Sequence, residues 1–592
     1  MTLAWLKLRS DGSSLQDIPD DTSPSRRSAA RLWRQPMRVA SFGIFALMAL
    51  APSKALAAAL DLNTYNITRK PKAGPAETFQ PVAAFPSIPF QLPFDWSADP
   101  YGDRNWRFNL HSLRIVDPAL AAGDFDYARE VFLDWQRWHE NCWIVGRLCF
   151  ERATDQSWDD MATGIRAARL AYLLRATDWN DERLIELAEQ HAERLKEPEF
   201  IASNNHALFQ LHGLAALCLD RRLRACDGAD AFIAHELDTV LRDQFTASGM
   251  HRENSPGYHF FVTGTLARVA PLLEVFAPEV ATIVQRAESN EQWLVHPDGT
   301  TVQLGDSSAD DRDLIFPHGK PRCRAIRSYR DARDCYLVEH FDDVGYVIIR
   351  SDWAIPAQEA SMLFVRGGFF ERTHRDADDF SFEWFEHGRK ILSDSGKYAY
   401  TKDVWEDYFN STRAHNTVEV DDIDYPRDQG SAYGDAVQRI ERTADGVRIM
   451  MEVYHVGLET WHRREITYSP GRQLTVSDTV GSEQRRRYVQ WHHFARAFEL
   501  SGKAGRFLAS DDGTVVNIEA TSSCGEGTTY EMIRGQIEPR IQGWASVEDR
   551  ERHPRWALGV VCEAQKASFA AHLTFGAAAH EAAFGAPARG PE

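Results

Sequence analysis

Several things are missing from this sequence, and each absence excludes something. No two of its eight cysteines stand in CxxC spacing, which argues against a thiolate zinc site or a dithiol redox motif. Basic residues are outnumbered, 67 to 86, and the formal net charge is −19. That excludes a general polyanion binder such as a nucleic-acid coat protein, though not a local basic cleft. Short-period repeats and low-complexity tracts are absent before an Ala/Gly-rich tail at 576–592. The apolar run at 39–51 is too short to span a bilayer and is closed by Pro52 and Lys54. With 43% hydrophobic and 26% charged residues, disorder, a collagen-like repeat and a small disulfide scaffold are ruled out. At 592 residues the chain calls for two domains, or two with a third small piece.

What is present begins with an export signal. Arg38 precedes the apolar run, and Ala55-Leu56-Ala57 follows as a small-residue cleavage site. Residues 1–57 read as a signal peptide with an N-terminal extension, cleaved before Ala58, and Met37 is an alternative start. Arg26-Arg27 lacks the apolar run directly behind it that twin-arginine export requires. The expected location is periplasmic or secreted, with no membrane span in the mature protein. Removing 1–57 takes away more basic than acidic residues, so the mature chain is more acidic still. An even cysteine count in an exported chain predicts disulfides between near neighbours: Cys142 with Cys149, Cys218 with Cys226, Cys323 with Cys335, and Cys524 with Cys562. Cys218 also reads as a buried thiol in an apolar helix.

The residues from 60 to 105, rich in Pro and Asp, predict an extended lead-in. From Val116 to Ala287 apolar residues recur at three-to-four spacing, as in MATGIRAARLAYLLRAT (161–177), DERLIELAEQHAERL (181–195), HALFQLHGLAALCLD (206–220) and TGTLARVAPLLEVFA (263–277). Serial helices without intervening strands suggest stacked helical hairpins. Near Val344 the period changes. GYVIIRS, ASMLFVRG, FSFEWFE, HNTVEVDD, RIMMEVYHV, REITYSP, QLTVSDTV and TVVNIEA alternate or run β-branched between polar turns. The expected fold class is an α+β multidomain chain: an α/α toroid over 58–340 and an antiparallel β-sandwich over 341–592.

Three clusters carry reactive groups. Ser203-Asn204-Asn205-His206 opens a helix, a place that favours anions; the plainer reading is an N-cap. His251-Arg252-Glu253-Asn254-Ser255-Pro256-Gly257-Tyr258-His259 is a turn dense in titratable groups. Tyr258 would act as acid or base if a neighbouring charge moved its pKa, but a Tyr after Pro-Gly also packs on its own turn. His374-Arg375-Asp376-Ala377-Asp378-Asp379 precedes a strand, with Asp394-Ser395-Gly396 and Arg413-Ala414-His415-Asn416-Thr417 beyond it. His and Asp on adjacent strands converge as metal ligands, although acidic runs are more often solvated surface.

HRDADDFSFEWFEHGRKILSDSGKYAY and STRAHNTVEVDD, with SNNHALFQLHGLAAL and ENSPGYH before them, resemble the heparinase II/III family of polysaccharide lyases. The four motifs stand in family order over most of the mature chain. The resemblance implies an incomplete α/α toroid followed by an antiparallel β-sandwich, in agreement with the order of helices and strands read above from pattern. It implies that Asn205 and His206 neutralise a substrate carboxylate, and that Tyr258 and His374 are catalytic. Tyr400 lines the site, with Tyr408 as its rival. Asp376, Asp394 and His415 match the metal-ligand positions, but Asp376 replaces a family histidine. A divalent ion is expected there, zinc by preference; an Asp2His set also suits calcium or manganese, or folds without metal. Arg252 and Arg413 are expected to bind substrate and to lower a tyrosine pKa.

The implied reaction is β-elimination at a uronic acid. The carboxylate is neutralised, the C5 proton is taken, O4 departs, and a 4,5-unsaturated uronate remains. The expected partner is an anionic uronate-containing polysaccharide, not nucleic acid. The family serves glycosaminoglycans, alginate-like polyuronates and bacterial exopolysaccharides. No evident sulfate site leans the reading toward the latter two. The negative net charge requires a local cationic cleft, for which 321–333 and 484–487 are Arg-rich candidates. Two alternatives stand. A glycoside hydrolase would need paired carboxylates, for which Glu253 and Asp378 are available. A non-catalytic polysaccharide-binding or export-accessory protein would explain Asp376, but would not need Asn205, His206, Tyr258 and His374 together.

Overall fold

The structure is a computed structural model and describes residues 61–67, 78–81, 85–145, 156–312, 336–370, 372–427, 434–444 and 446–576. The signal peptide expected at 1–57, the Arg-rich stretch 321–333 and the tail beyond 576 fall outside these, as do the side chains needed to judge Cys142–Cys149 and Cys323–Cys335. Among the described residues, Cys218–Cys226 and Cys524–Cys562 are disulfides, so Cys218 is not a free thiol. No described helix is long and apolar enough to cross a membrane.

Among the described residues, nine α-helices build the first half. They are α1 (Arg104–His111), α2 (Asp117–Ala122), α3 (Phe125–Val145), α4 (Asp160–Ala176), α5 (Glu182–Leu195), α6 (His206–Cys218), α7 (Ala229–Gln244), α8 (Pro256–Leu273) and α9 (Val280–Asn290). Helices α4 and α6 are buried on every side, whereas α5 buries only Leu184, Leu187, Ala188, His191, Ala192 and Leu195. A helix apolar all round belongs inside, and an amphipathic one returns along the outside. The lead-in closes this core with Tyr65, Phe79, Phe90 and Trp96.

Two glycines set how α4 meets α6. A Cβ on Gly164 would run into the Phe209 carbonyl, and one on Gly213 into the Gly164 carbonyl. The backbones therefore touch, and the helices run side by side in the same sense. One turn back along each stand Asp160 and His206, which pair at 3.1 Å. Phe209 lies 6.4 Å from Phe261, itself 5.9 Å from Tyr258 on the first turn of α8. The N-terminal turns of α4, α6 and α8 thus share one rim, and each contributes the partial positive charge of a helix start.

Among the described residues, the second half holds two large antiparallel sheets and two two-stranded ones. Five strands, β1 (Tyr336–Phe341), β2 (Tyr346–Ser351), β3 (Ser361–Arg366), β4 (Phe382–Glu386) and β5 (Arg389–Leu392), pair in sequence order. A ten-stranded sheet follows. Its path runs from Val437–Thr443 through Gly446–His455, Thr460–Ser469 and Gln473–His493 to Trp556–Phe575, then Thr514–Ser522, Arg506–Asp511 and Glu499–Lys503. Val418–Val420 and Thr529–Arg534 pair onto it from the side.

Period-two alternation gives β2 to β4 two apolar faces. Val347, Ile349, Leu363, Val365, Phe382 and Trp384 meet the ten-stranded sheet. Tyr346, Ile348, Met362, Phe364 and Phe385 meet Met250, Phe260, Trp293, Leu294, Val302 and Leu304 from the helical half. Each such fully buried side chain is worth about 1.5–3 kcal/mol, so the small sheet is glued to both neighbours. It starts at Tyr336, a little before the boundary expected at 341, because YLVEHF is a half-buried edge whose Glu and His mask the alternation.

Candidate functional site

Tyr258 stands on the first turn of α8, which Ser255 caps by accepting from the Tyr258 N–H at 3.1 Å. Its ring stacks on the His374 imidazole with centroids 3.4 Å apart. The Tyr258 and Tyr400 hydroxyls are 3.0 Å apart. Asp306 gathers the group: its Oδ2 faces His374 Nδ1 at 2.6 Å and accepts from the Tyr400 hydroxyl at 3.0 Å. On the other side of the imidazole, Glu253 Oε2 lies 3.6 Å from Nε2.

The backbone around this group is tightly determined. Asn254 (φ 52°) and His374 (φ 56°) are both left-handed, at a cost of order 1 kcal/mol each. Gly305 (φ 61°) lies between them; a Cβ there would strike the Asn254 carbonyl and come within 2.8 Å of the His374 carbonyl. Asn254 Nδ2 donates to the Thr373 carbonyl (3.0 Å), and Arg366 donates to the Asn254 carbonyl (2.6 Å). Three chain segments are thereby locked around His374.

Burial, with Asp306 and Glu253 nearby, pushes the Tyr258 phenol well above its ordinary value, so Tyr258 rests protonated. The Tyr400 phenol is pushed up by burial and by Asp306. Burial would raise Asp306, but its bond to His374 outweighs that and holds it low, as a carboxylate.

A cleft of about 660 Å³ opens beside this group, lined by His374, Asp306, Tyr400, Arg372 and Arg427 among others. A second, of about 540 Å³, lies across the 373–374 segment and is lined by Ser203, Asn204, Arg242, Arg252, Glu253 and Thr373. Arginines thus stand on both sides of this group, local positive charge in an acidic protein.

Asn205 is buried at the start of α6 and makes no cap bond; Asn204 Oδ1 instead accepts from the His206 N–H at 3.0 Å. His206 is part-exposed on the same rim as Tyr258, with Nδ1 3.1 Å from both Asp160 oxygens. Tyr400, not Tyr408, reaches the site: Tyr408 is fully buried and donates to Gln542 Oε1 at 3.0 Å. Arg252 lines the second cleft. Arg413 lines neither; its Nε donates to the Ile541 carbonyl at 3.2 Å, in a turn folded against the 541–544 loop. The Arg486 and Arg487 side chains are engaged by Asp421, Asp422 and Glu531 at the sandwich edge. The carboxylate pair considered for a hydrolase is not formed, because Asp378 is fully buried against Arg366 at 2.8 Å.

Asp376, Asp394 and His415 do not converge on a common point. Asp394 Oδ2 faces His415 Nδ1 at 2.8 Å, while Oδ1 accepts from the Gly396 N–H at 3.1 Å. Asp376 faces Arg427 at 3.9 Å, and burial together with Asp306 drives its carboxyl far above the usual range. Arg366 meets Asp378, and Arg375 meets Asp379 at 2.9 Å, so internal cations already balance the acidic loop. Burial would lower His415, but Asp394 and its acidic neighbours bring it up to about 9. Its Nε2 is buried without a hydrogen-bond partner among the described residues. Among the described residues no three His, Cys, Asp or Glu side chains are set to hold an ion. As arranged, the set does not fit a divalent metal, and no step below passes through one.

Sequence reasoning missed Asp306 and Asp160 and saw Glu253 only as a hydrolase acid. A Gly-Asp turn at 305–306 was the available signal, but the acidic run from Asp306 to Asp311 reads as surface.

Comparison with known proteins agrees with this architecture. Residues 53–320 match the profile described as heparinase II/III N-terminus, and 336–567 match heparinase II/III-like, C-terminal. A heparin-sulfate lyase of Pedobacter heparinus is 23% identical over 382 residues, 58% of this chain and 56% of that protein. The match thus spans little more than half of that relative's length. A heparin-sulfate lyase of Bacteroides stercoris is 20% identical over 524 residues, 79% of this chain and 75% of that one. Among solved structures, a heparinase III superposes with a TM-score of 0.64 at 16% identity, covering 91% of this chain and 92% of its own. The heparan sulfate lyase of Pedobacter heparinus does so at 0.62 and 18%, covering 90% and 89%. With both halves matched in order over nearly the whole described length, the chain belongs to the heparinase II/III family.

Proposed function

We propose that this protein is an exported polysaccharide lyase that cleaves a uronate-containing polysaccharide by β-elimination. The observation that carries the reading is the Tyr258–His374–Tyr400–Asp306 group, set between two arginine-bearing clefts. His206 and Asn205, on the same rim, meet the carboxylate and stabilise the charge that builds on it as C5 loses its proton. His374 takes that proton. Asp306 on Nδ1 fixes the tautomer that leaves Nε2 to accept it, and Asp306 and Glu253 stabilise the imidazolium that forms. The C5–H electron pair becomes the C4=C5 double bond, and the C4–O4 bond breaks. Tyr258, which rests protonated, gives its proton to the departing O4. The cycle closes when water in the adjoining cleft takes the proton from His374 Nε2 and returns one to the Tyr258 hydroxyl, while Tyr400, 3.0 Å from that hydroxyl, keeps it oriented.

Relatives named heparin-sulfate lyases put heparan sulfate first among substrates to test, ahead of the exopolysaccharide and polyuronate classes to which the sequence leaned. The mature chain is incubated with heparan sulfate, hyaluronan, chondroitin, alginate, polyglucuronate and acidic exopolysaccharides. Ultraviolet absorbance of the conjugated product is followed, with Tyr258→Phe as control. Rising absorbance that the variant abolishes supports the lyase; chain shortening without absorbance sinks it. Export is tested by fractionating cells that express the full chain and finding Ala58 at the mature N-terminus.

A further inference from the structure

The first turns of α4 and α6 set two acids, Asp159 and Asp160, beside His206. Both oxygens of Asp160 lie 3.1 Å from His206 Nδ1. Beside Asp160, Asp159 is the N-cap of α4, and Arg104 of α1 lies 3.5 Å from it. The two adjacent acids do not ionise alike. Burial and its hydrogen bond with Asp160 bring Asp159 up to about 6, while the bond to His206 outweighs burial and takes Asp160 down to about 2. Asp160 is therefore the first of the two to ionise, and it is the one aimed at the imidazole. Nδ1 is held inward, and His206 Nε2 has no protein partner among the described residues. The side chain keeps 34% of its exposure, on the rim shared with Tyr258.

We propose that Asp160 is a positioning residue of the lyase: it holds His206 with Nδ1–H inward and as an imidazolium, so that a cation, not a neutral donor, meets the substrate carboxylate through Nε2. This rests on the lyase reading above. The charged groups facing His206 are Asp160 and Asp159 from α4, which favour its proton, and Arg104 from α1, which opposes it. Burial also opposes the proton, and the acids prevail, raising His206 above its ordinary value. A pair that merely staples α4 to α6 would contribute to stability and leave the ionisation of His206 irrelevant to turnover.

The test reads His206 without substrate. The full mature chain is treated with diethyl pyrocarbonate, which attacks neutral imidazole, from pH 5 to 9, and the His206 peptide is quantified by mass spectrometry. The expected midpoint in the wild type lies above the ordinary 6.5 or so. In Asp160→Asn it falls by about one unit or more, and in Asp160→Glu it stays. The alkaline limb of kcat/KM on a cleaved polymer is expected to move down with it, and the plateau to drop at least about tenfold. A wild-type midpoint at or below about 6.5 overturns the proposal even if Asp160→Asn fails to fold. So does an unmoved midpoint or an unmoved alkaline limb in a folded Asp160→Asn. A high midpoint in a chain that eliminates no polymer overturns the lyase reading instead, and the role of Asp160 falls with it.

Discussion

Tyr258 lies almost flat on the imidazole of His374, its ring tilted by 22° with centroids 3.4 Å apart. Stacking fixes where the hydroxyl points without using it, so removing only that oxygen is a clean test. Tyr258→Phe is expected to keep the stack and the melting temperature within a degree or two, yet lower kcat by a factor on the order of 10² or more. A folded variant with wild-type turnover would remove Tyr258 from the chemistry.

Asp306 joins His374 to Tyr400 through one oxygen. Asp306→Asn leaves the shape but can no longer demand a proton on Nδ1. Steady-state kinetics should show kcat reduced by about 10² or more with KM changed little, the split expected when a tautomer is lost and binding is not. A change confined to KM would place Asp306 in substrate binding.

The two candidate tyrosines separate by experiment as they do in space. Tyr400→Phe breaks the link between Tyr258 and Asp306 and is expected to slow turnover. Tyr408→Phe removes a buried bond to Gln542 and should cost about 1 kcal/mol of stability in a denaturant melt, with kcat unchanged.

Metal content provides an independent check. Because Asp394 is engaged by His415 and Asp376 faces Arg427, the purified mature chain should carry well under one equivalent of zinc, calcium or manganese by elemental analysis. Its melting temperature should not move with chelator. Stoichiometric metal, or a melting temperature that chelator lowers and zinc restores, would reinstate the site at Asp376, Asp394 and His415.

Glu383 ties the loop before the small sheet to the sheet itself. It faces His296 Nε2 at 2.8 Å and accepts from the backbone N–H groups of Gln303 (3.1 Å) and Asp394 (2.8 Å). Burial alone would raise its carboxyl; His296 and these donors bring it down to about 2. A folded-state value below the unfolded one means stability present above about pH 4.5 and lost as pH falls toward 2. Thermal melts across that window should show the loss, and Glu383→Gln should flatten it. At neutral pH the same variant should cost about 3 kcal/mol.

Much of the fold was legible because period is a local property. MATGIRAARLAYLLRAT and HALFQLHGLAALCLD became α4 and α6, and all eight strand segments read by alternation fell on strands. The longest miss, Trp556–Phe575, has Ala, Gly and Cys at inward positions and so too little apolar contrast to register. The pairing of Tyr258 with His374 and Tyr400 was reachable through motif resemblance. Asp306, Asp160 and the idle position of Arg413 were not. Which acid meets a given imidazole depends on how helices and sheet abut, and a short polar side chain looks the same in a loop whether it faces water or a ring.

The small sheet has no free face: one side is occupied by the large sheet and the other by Trp293, Leu304 and their neighbours. It behaves as a keystone, not a hinge leaf. Residues from the two halves of the chain, Tyr258 and Asp306 from one and His374 and Tyr400 from the other, are therefore indexed to each other before any sugar arrives. On the lyase reading, a long polymer is threaded or draped across a groove whose walls keep their spacing, with adjustment left to side chains such as Arg242 and Arg427.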